Sequence, residues 1–313
     1  MNSTPSEQFL SYQEPPVQAI KHPAFENAGI MVSILREDLN HRFVSGNKWW
    51  KLRDNLSEAK HQGKPVLTFG GAFSNHIYAT AAACHEQNIP CTGIIRGEAG
   101  PIKSSTLKFA ESRGMKLVFI SRELYKKKED PDFFRKTDFR PEDHYIIPEG
   151  GTNEIAVRSC EAWGQKIAEK FGDEFDCVLL PAGTGGTAAG IIAGINDHLF
   201  VHIFSALKGG EFLEVGINDL LNVHFKSRGD SQKIFANRRK LHTGFHFGGY
   251  GKRNDLVLNF IRSMAAQVPL DAVYTAKMIL GIINLADSGE FKRGSRLLAI
   301  HTGGLQGNSG FLI

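Results

Sequence analysis

Lys48 is the side chain in this sequence whose surroundings best suit covalent chemistry. It lies in the run Ser45-Gly46-Asn47-Lys48-Trp49-Trp50-Lys51-Leu52, after a strand-like segment and a glycine turn, where a helix is predicted to begin. A lysine amine attacks a carbonyl only when it has lost its proton, so at neutral pH it needs burial or a nearby cation to lower its pKa. Lys51, one helical turn further on, can supply that cation. The competing interpretation, two solvated helix lysines, is weakened by two glycine-rich segments downstream.

The first of these segments, Gly70-Gly71-Ala72-Phe73-Ser74-Asn75-His76, joins an apolar strand to a helix. In open parallel sheets, ligands bind beyond the carboxyl ends of the strands. Ser74, Asn75 and His76 are therefore candidates for contact with a substrate. Ser74 or Asn75 is also a good N-cap for the helix that follows, and the segment taken alone favours the N-cap interpretation.

The second segment, Leu180-Pro181-Ala182-Gly183-Thr184-Gly185-Gly186-Thr187, has the same order of strand, glycine loop and helix. Backbone N–H groups at a helix N-terminus carry partial positive charge, and glycines let an anion approach them closely. The segment therefore suits a phosphate group. It has neither the lysine of a Walker loop nor the glycine order of a dinucleotide-binding loop, so neither nucleotide is favoured. A turn needed only for packing is the alternative.

A reactive lysine together with a phosphate site points to pyridoxal 5'-phosphate, a cofactor that requires both. The order of the motifs resembles the 1-aminocyclopropane-1-carboxylate deaminase and D-cysteine desulfhydrase family, which has the tryptophan synthase β-like fold. The motifs that carry the resemblance run from about Arg36 to about Gly304 and are SGNKWWKL, GGAFSNH, GTGGT, GGYG, LDAVYTAKM and HTGG.

The resemblance implies roles for the matching residues around the cofactor. Lys48 would hold the cofactor covalently, Lys51 would approach its phosphate, and Asn75 would bind its ring hydroxyl. Thr275 would face the pyridine nitrogen. The residues implied to surround the phosphate are Thr184, Gly185, Gly186 and Thr187.

On the substrate side, the resemblance implies that Ser74 faces the substrate carboxylate, with Asn75 and His76 beside it. Tyr250 and Tyr274 match two active-site tyrosines of the family, and either would tune proton transfer near the substrate. From the residues alone, a tyrosine in such a sequence is more often a packed aromatic whose hydroxyl has found a partner.

Two positions bear on which reaction is catalysed. The deaminases carry a glutamate directly after the second tyrosine, which keeps the pyridine nitrogen protonated, whereas Thr275 offers only a neutral hydroxyl and implies a weaker electron sink. The deaminases also carry a leucine where this chain has Thr302, on the substrate side of the ring. Ring opening of a cyclopropane needs a stronger electron sink than expulsion of a thiolate, so Thr275 favours a desulfhydrase. Thr302 also matches the residue found in the desulfhydrases.

The expected reaction is β-elimination from a D-amino acid, with Lys48 as both anchor and base and D-cysteine giving pyruvate, ammonia and sulfide. The alternatives are a 1-aminocyclopropane-1-carboxylate deaminase and a catalytically silent relative that binds a metabolite. Trp49 and Trp50 replace the small and basic pair usual after the reactive lysine. Two indoles so near the cofactor are expected to narrow the pocket or change its preference, which keeps D-serine, another β-substituted alanine or a cyclic amino acid as further candidates.

Apolar runs alternate with helical periodicity from about residue 30, which predicts parallel sheets covered by helices. We expect an α/β protein with open, twisted, mostly parallel sheets and helices on both faces, as in fold type II pyridoxal-phosphate enzymes. Strands are predicted at residues 66–69, 91–95, 116–120, 145–147, 177–180, 200–204 and 297–300, and helices at residues 77–87, 154–170 and 254–266.

The 313 residues are enough for two domains. The prediction is a large cofactor-binding domain of residues 1–52 and 161–313 and a small domain of residues 53–160. The polar first twenty residues are expected to form a mobile or loosely docked arm. By family habit the protein would be a homodimer.

Composition excludes several classes of function. The net charge is +4 with scattered basic residues, which argues against binding of nucleic acid. The uncharged residues 177–196 reach membrane-spanning length but include Pro181 and several glycines, so they predict a strand, a loop and a helix. Four cysteines without metal-binding or disulfide spacing, and the lack of an apolar signal segment, predict no metal site and a reducing cytoplasm. The expected partner is a small amino-acid substrate.

Overall fold

The computed structural model describes residues 10–100, 103–196, 198–228 and 238–311. The strands within these residues are β1 (Val17–Ile20), β2 (Met31–Leu35), β3 (Val66–Gly70), β4 (Cys91–Arg96), β5 (Lys116–Ile120), β6 (Tyr145–Ile147), β7 (Cys177–Ala182), β8 (Phe200–Ser205), β9 (Arg239–His242) and β10 (Arg296–Ile300). The helices are α1 (Pro23–Ala28), α2 (Asn47–His61), α3 (Asn75–Glu86), α4 (Ser105–Ser112), α5 (Arg122–Lys126), α6 (Glu154–Phe171), α7 (Gly186–Gly194), α8 (Phe212–Arg228), α9 (Asp255–Met264) and α10 (Thr275–Asp287).

The strands form two sheets. A six-stranded sheet has the order β1-β2-β10-β7-β8-β9, and a four-stranded sheet has the order β5-β4-β3-β6. Every neighbouring pair is parallel except β1 and β2. Each strand predicted from its apolar run is present, and so are the helices predicted around residues 77–87, 154–170 and 254–266, which confirms the α/β fold class.

Strand β7 of the six-stranded sheet is buried along its whole length, because helices cover both faces of the sheet. Its residues alternate between two apolar cores. Val178 and Leu180 pack in the core that contains Trp163 of α6. Cys177 and Leu179 pack in the core formed with α1, α9 and α10. A strand buried on both faces loses the alternation of polar and apolar residues, which is why β7 reads as a continuous apolar run.

Residues 177–196 form a strand, a loop and a helix as predicted. Within the described residues, no helix combines the length and apolarity that crossing a membrane requires. All four cysteines are buried free thiols.

The two sheets divide the sequence as the domain prediction does, since β3 to β6 fall within residues 53–160 and the other strands fall outside them. The predicted boundaries lie inside α2 and α6. These helices pack together, with the rings of Trp50 and Trp163 stacked at a centroid distance of 5.6 Å and an interplanar angle of 4°. The assignment of residues to two domains stays a prediction.

The prediction of a mobile or loosely docked arm is wrong for residues 10–20, and residues 1–9 lie outside the described part of the chain. Leu10 is buried, and Ser11 accepts a hydrogen bond at 2.8 Å from Trp49 Nε1 through its carbonyl oxygen. The ring of Tyr12 lies 4.6 Å from that of Trp49. Strand β1 then pairs with β2. Isolated apolar residues in a polar segment hold this part of the arm to the core.

Trp49 and Trp50 do not narrow the pocket, contrary to the expectation from sequence. Both are buried in the apolar core, and Trp50 Nε1 donates a hydrogen bond at 3.2 Å to Glu37 Oε2. On an α-helix, successive residues are about 100° apart, so residues three apart share a face. Lys48 and Lys51 therefore lie together on one face of α2, and the two indoles point away from it.

The Trp50–Trp163 stack joins α2 to α6, so its loss should destabilise the protein. Trp163→Ala is expected to lower the free energy of unfolding by about 3–5 kcal/mol, because it leaves a cavity in a packed core. Denaturant titration of the apoprotein would measure the change. As a control, Leu256→Ala removes a side chain that is 57% exposed and should cost about 0.5 kcal/mol or less. Equal losses in the two variants would contradict the assigned role of the stack.

Candidate active site

The first turn of α2 is held by a close approach between distant segments. Gly46 has φ 68°, and a Cβ there would lie only 2.1 Å from the carbonyl oxygen of Thr302. That oxygen accepts a hydrogen bond from Asn47 N at 3.3 Å. The side chain of Asn40 accepts from Gly46 N at 3.0 Å and donates to Gly46 O at 3.2 Å. Only glycine fits at position 46, and its contacts fix where Lys48 begins.

Lys48 has the lowered basicity that a nucleophilic amine needs. Burial, and then the charge of Lys51, lower its pKa to about 7. Its Nζ donates a hydrogen bond at 3.0 Å to Asn47 Oδ1. At neutral pH a large fraction of Lys48 is therefore a neutral amine with a free electron pair, whereas an exposed lysine is almost wholly protonated.

Lys51 has a different hydrogen-bonding environment. Burial lowers its pKa to about 8. Its Nζ donates to the carbonyl oxygen of Gly150 at 2.7 Å and to Thr152 Oγ1 at 2.8 Å. Two acceptors favour the ammonium form, so at neutral pH the pair consists of a cationic Lys51 beside a Lys48 that readily gives up its proton.

The glycine loop, residues 183–187, leads from the carboxyl end of β7 to the N-terminus of α7. Gly185 has φ 81° and precedes the first residue of the helix. A Cβ on Gly186 would lie 2.7 Å from Thr152 Cγ2. Asn47 Nδ2 donates to Thr187 Oγ1 at 3.0 Å, which ties the loop to α2. The loop therefore presents helix N-terminal amides beside the Lys51 ammonium, an arrangement that suits a phosphate dianion.

A cavity that is partly open to solvent lies between α2 and the glycine loop. Eight of the residues predicted from sequence line it: Lys48, Lys51, Asn75, Thr184, Gly185, Thr187, Tyr274 and Thr302. The other predicted residues, Ser74, His76, Gly186, Tyr250 and Thr275, are not among its lining side chains.

The three polar residues at the start of α3 have separate surroundings. Ser74 is the N-cap, since its Oγ accepts from Ile77 N at 3.3 Å. Asn75 faces the cavity, and its Oδ1 accepts from Gln306 Nε2 at 2.8 Å. His76 is buried, which lowers its pKa well below the ordinary value, and its Nε2 lies 2.7 Å from Thr68 Oγ1.

The tautomer of His76 follows from its neighbour. Thr68 Oγ1 donates its proton to the carbonyl oxygen of Ile147 at 2.8 Å. It can therefore only accept from the ring, which assigns the proton of the neutral imidazole to Nε2. His76 is thus a satisfied buried group behind the cavity wall.

Tyr250 and Tyr274 form a pair at the mouth of the cavity. Their ring centroids are 6.0 Å apart, and Tyr250 is 45% exposed. Tyr274 lines the cavity and packs so closely on Gly183 that a Cβ there would lie 2.9 Å from its hydroxyl oxygen. Burial raises the pKa of Tyr274 well above its ordinary value, so its hydroxyl keeps its proton at neutral pH.

Thr275 is fully buried, and its hydroxyl is committed to Asp271. Thr275 Oγ1 donates to Asp271 Oδ1 at 2.7 Å and accepts from Asp271 N at 2.8 Å. The same carboxylate accepts from the backbone N–H groups of Val273 and Tyr274, both at 2.9 Å. Thr302, in contrast, lines the cavity and is 7% exposed.

A segment after β6 reaches the glycine loop through Gly150, Gly151 and Thr152, three residues that were not predicted from the sequence. The two glycines have φ angles of 71° and 70°. A Cβ on Gly150 would lie 3.0 Å from Thr184 Cγ2, and one on Gly151 would lie 3.1 Å from His76 Cε1. Paired glycines before the helix cap Asn153 were the available signal, but they carried no indication of their partner.

These residues fit pyridoxal phosphate. The cofactor needs an amine that is partly neutral, which Lys48 provides, and an anion site within reach of it, which Lys51 and the glycine loop provide. Asn75 adds an amide on the cavity wall. The donor set is that of an organic phosphate site; the described residues hold no group of three or more histidine, cysteine, aspartate or glutamate side chains arranged for a metal.

Comparison with known proteins agrees with this fit. Residues 10–206, more than half of the chain, match the family model for pyridoxal-phosphate dependent enzymes, and the chain belongs to that family. The prediction of the cofactor is confirmed.

The chain is similar to several named proteins. A putative 1-aminocyclopropane-1-carboxylate deaminase of Pyrococcus horikoshii is 28% identical over 94% of this chain and 90% of its own length. A bifunctional D-cysteine desulfhydrase/1-aminocyclopropane-1-carboxylate deaminase of Arabidopsis thaliana is 29% identical over 97% of this chain and 79% of its own length. A D-cysteine desulfhydrase of Salmonella choleraesuis is 26% identical over 88% of this chain and 87% of its own length. The resemblance seen in the motifs is confirmed, and the relatives carry both activities in their names.

Among solved structures, a homologue of 1-aminocyclopropane-1-carboxylate deaminase superposes with a TM-score of 0.81 at 28% identity, covering 96% of this chain and 92% of that one. A hydrogen sulfide-producing enzyme of Fusobacterium nucleatum gives a TM-score of 0.67 at 12% identity, with 97% and 99% covered, which shows a shared fold.

The charge of Lys51 should control the reactivity of Lys48. When the apoprotein is mixed with pyridoxal, which lacks the phosphate, the rate of covalent attachment to Lys48 should rise with pH through about 7 as the amine loses its proton. Lys51→Met removes a neighbouring cation, so the pKa of Lys48 should rise and the midpoint should move to higher pH. Lys60→Met, at the exposed end of the same helix, should leave the midpoint in place.

Borohydride trapping followed by peptide mapping would identify the modified lysine at each pH. Attachment mainly at Lys51, or an unchanged midpoint in Lys51→Met, would contradict the assignment of Lys48 as the nucleophile.

Proposed function

We propose that this chain catalyses β-elimination from a D-amino acid, with D-cysteine as the substrate and pyruvate, ammonia and sulfide as the products. The observation that carries the proposal is the pairing of a partly neutral Lys48 with a cationic Lys51 beside the glycine loop. Pyridoxal phosphate, when bound, supplies an electron sink for charge that develops at the substrate α carbon.

In this proposal Lys48 has two tasks. Its amine would hold the cofactor covalently in the resting enzyme, and the same amine, when free, would remove the α proton of the substrate. A pKa near 7 suits a base of this kind, because it is unprotonated often enough to accept a proton and basic enough to hold it. Lys51 and residues 183–187 hold the phosphate, and Asn75 orients the ring through its amide.

The tyrosine pair is proposed to act on the departing group. Tyr274 keeps its proton at neutral pH because it is buried, so it can donate a hydrogen bond to a leaving thiolate. Tyr250, which is the more exposed member of the pair, would pass protons between Tyr274 and solvent. Ser74 and His76 are proposed to support the substrate side of the wall, His76 from behind through its packing on Gly151.

The choice of D-cysteine over 1-aminocyclopropane-1-carboxylate is proposed from Thr302 and Thr275. Thr302 places a hydroxyl on the cavity wall, where a leucine would be apolar. The named deaminase of Pyrococcus horikoshii keeps the ring-opening reaction as the second candidate. A silent metabolite-binding relative is the third, and measurable turnover of either substrate would exclude it.

Thr275 is a poor position for a carboxylate in this particular chain. It is fully buried beside the carboxylate of Asp271. Thr275→Glu would place a second negative charge against the first, and a buried pair of like charges is strongly unfavourable. A specificity test therefore works best at Thr302, with position 275 left unchanged.

We also propose that the protein is a homodimer, by analogy with the family, and that it acts in the cytoplasm. Four buried free cysteines support a reducing compartment. The division into a large cofactor-binding domain and a small domain is proposed on the membership of the two sheets.

Product assays would test the reaction and its specificity. Wild type should release sulfide from D-cysteine much faster than it forms 2-oxobutanoate from 1-aminocyclopropane-1-carboxylate. Thr302→Leu should lower the ratio of the two kcat/KM values by about tenfold, the effect of one hydrogen bond to a charged group. Thr302→Ser, which keeps the hydroxyl, should stay close to wild type. A wild type that prefers the cyclopropane substrate would sink the proposal and support the second candidate.

A further inference from the structure

Thr152 lies where three parts of the chain meet. It follows β6 of the four-stranded sheet and precedes α6, yet its side chain packs against Gly186 of the glycine loop, which follows β7 of the six-stranded sheet. Any residue other than glycine at position 186 would be crowded, because a Cβ there would lie 2.8 Å from Thr152 Oγ1. The chain thus keeps a glycine where this hydroxyl approaches the loop.

The hydroxyl of Thr152 connects the ammonium group of Lys51 with the hydroxyl of Thr184. Lys51 Nζ donates to Thr152 Oγ1 at 2.8 Å, and Thr152 Oγ1 lies 2.6 Å from Thr184 Oγ1. Either hydroxyl can donate in the second bond. When Thr152, which already accepts from Lys51, donates to Thr184, both hydrogen bonds run in one direction from the ammonium group to Thr184.

In that direction the oxygen of Thr184 accepts from Thr152, so the Thr184 proton can be donated to a ligand. Thr184 lines the cavity at the glycine loop, where the helix N-terminus favours an anion. A hydroxyl that accepts a bond from a chain beginning at a cation becomes a stronger donor, because the bonds polarise one another.

We propose that Thr152 is a positioning residue of the cofactor phosphate site, which transmits the charge of Lys51 to Thr184 and directs the Thr184 proton to a phosphate oxygen. The proposal rests on the proposed placement of the phosphate at residues 183–187. It gives the segment after β6 a part in cofactor binding, so the phosphate links the two sheets through a hydrogen-bond chain.

Affinities for pyridoxal phosphate and for pyridoxal, measured by fluorescence titration of the apoprotein, would test the role. Pyridoxal lacks the phosphate but reacts with the same lysine, so the ratio of the two affinities isolates the phosphate contribution. Thr152→Val keeps the shape and removes the hydroxyl. It should weaken pyridoxal phosphate by about tenfold or more and leave pyridoxal within about twofold of wild type. Thr152→Ser should restore the wild-type ratio.

A double-mutant cycle with Thr184→Val would test the relay itself. If Thr152 acts through Thr184, the double variant should bind pyridoxal phosphate within about threefold of Thr184→Val alone. Additive losses would mean that Thr152 acts independently of Thr184, and they would overturn the proposal. Equal losses for both ligands in Thr152→Val would also overturn it, since they would reflect packing alone.

Two controls separate the possible failures. Thr92→Val, on β4 of the four-stranded sheet, should change neither affinity. If the placement of the phosphate is wrong, Thr184→Val will leave the ratio of affinities unchanged, which identifies that failure directly. The titration contains no amino acid, so it is independent of whether D-cysteine is the substrate.

Discussion

Burial of two lysines on one face of the first turn of α2 is the constraint that the rest of the site satisfies. Two cations that close cannot both keep an ordinary pKa, and burial adds to their repulsion. The structure resolves the conflict by giving them unequal partners. Lys51 donates to a carbonyl and a hydroxyl, whereas Lys48 donates to a single amide oxygen. The difference in hydrogen bonding separates an anchoring cation from a reactive amine.

Close approach of backbones makes this arrangement possible. Gly46 admits the carbonyl of Thr302, Gly186 admits the side chain of Thr152, and Gly183 admits the ring of Tyr274. Each contact joins two distant parts of the chain, and two of the contacting residues, Thr302 and Tyr274, line the cavity. A side chain at any of these glycines would separate the lysines from the glycine loop or close the cavity. The glycines are therefore needed for these short contact distances more than for flexibility of the loops.

The carboxyl ends of parallel strands supply the frame. The glycine loop follows β7, the segment that holds Asn75 follows β3, and Thr302 follows β10. Parallel strands end at the same edge of their sheet, which is where ligands of such folds bind. A solved homologue of 1-aminocyclopropane-1-carboxylate deaminase has the same fold, with a TM-score of 0.81. We therefore propose that side chains on the cavity wall decide between the two reactions.

The amino-acid sequence by itself determined the fold class, because apolar periodicity is a local pattern, and a lysine and a glycine loop at helix starts pointed to the cofactor. Eight residues of the cavity wall were assigned through the resemblance of the motifs to a known family. The direction of Trp49 and Trp50 could also have been predicted from the sequence, because helical spacing places them on a different face of α2 from Lys48 and Lys51. Only the tertiary structure decided that Thr152 contacts Lys51, that Thr275 is bound to Asp271 and that residues 10–20 are docked. Those contacts depend on which strands become neighbours, and strand order is set by packing among segments far apart in the chain.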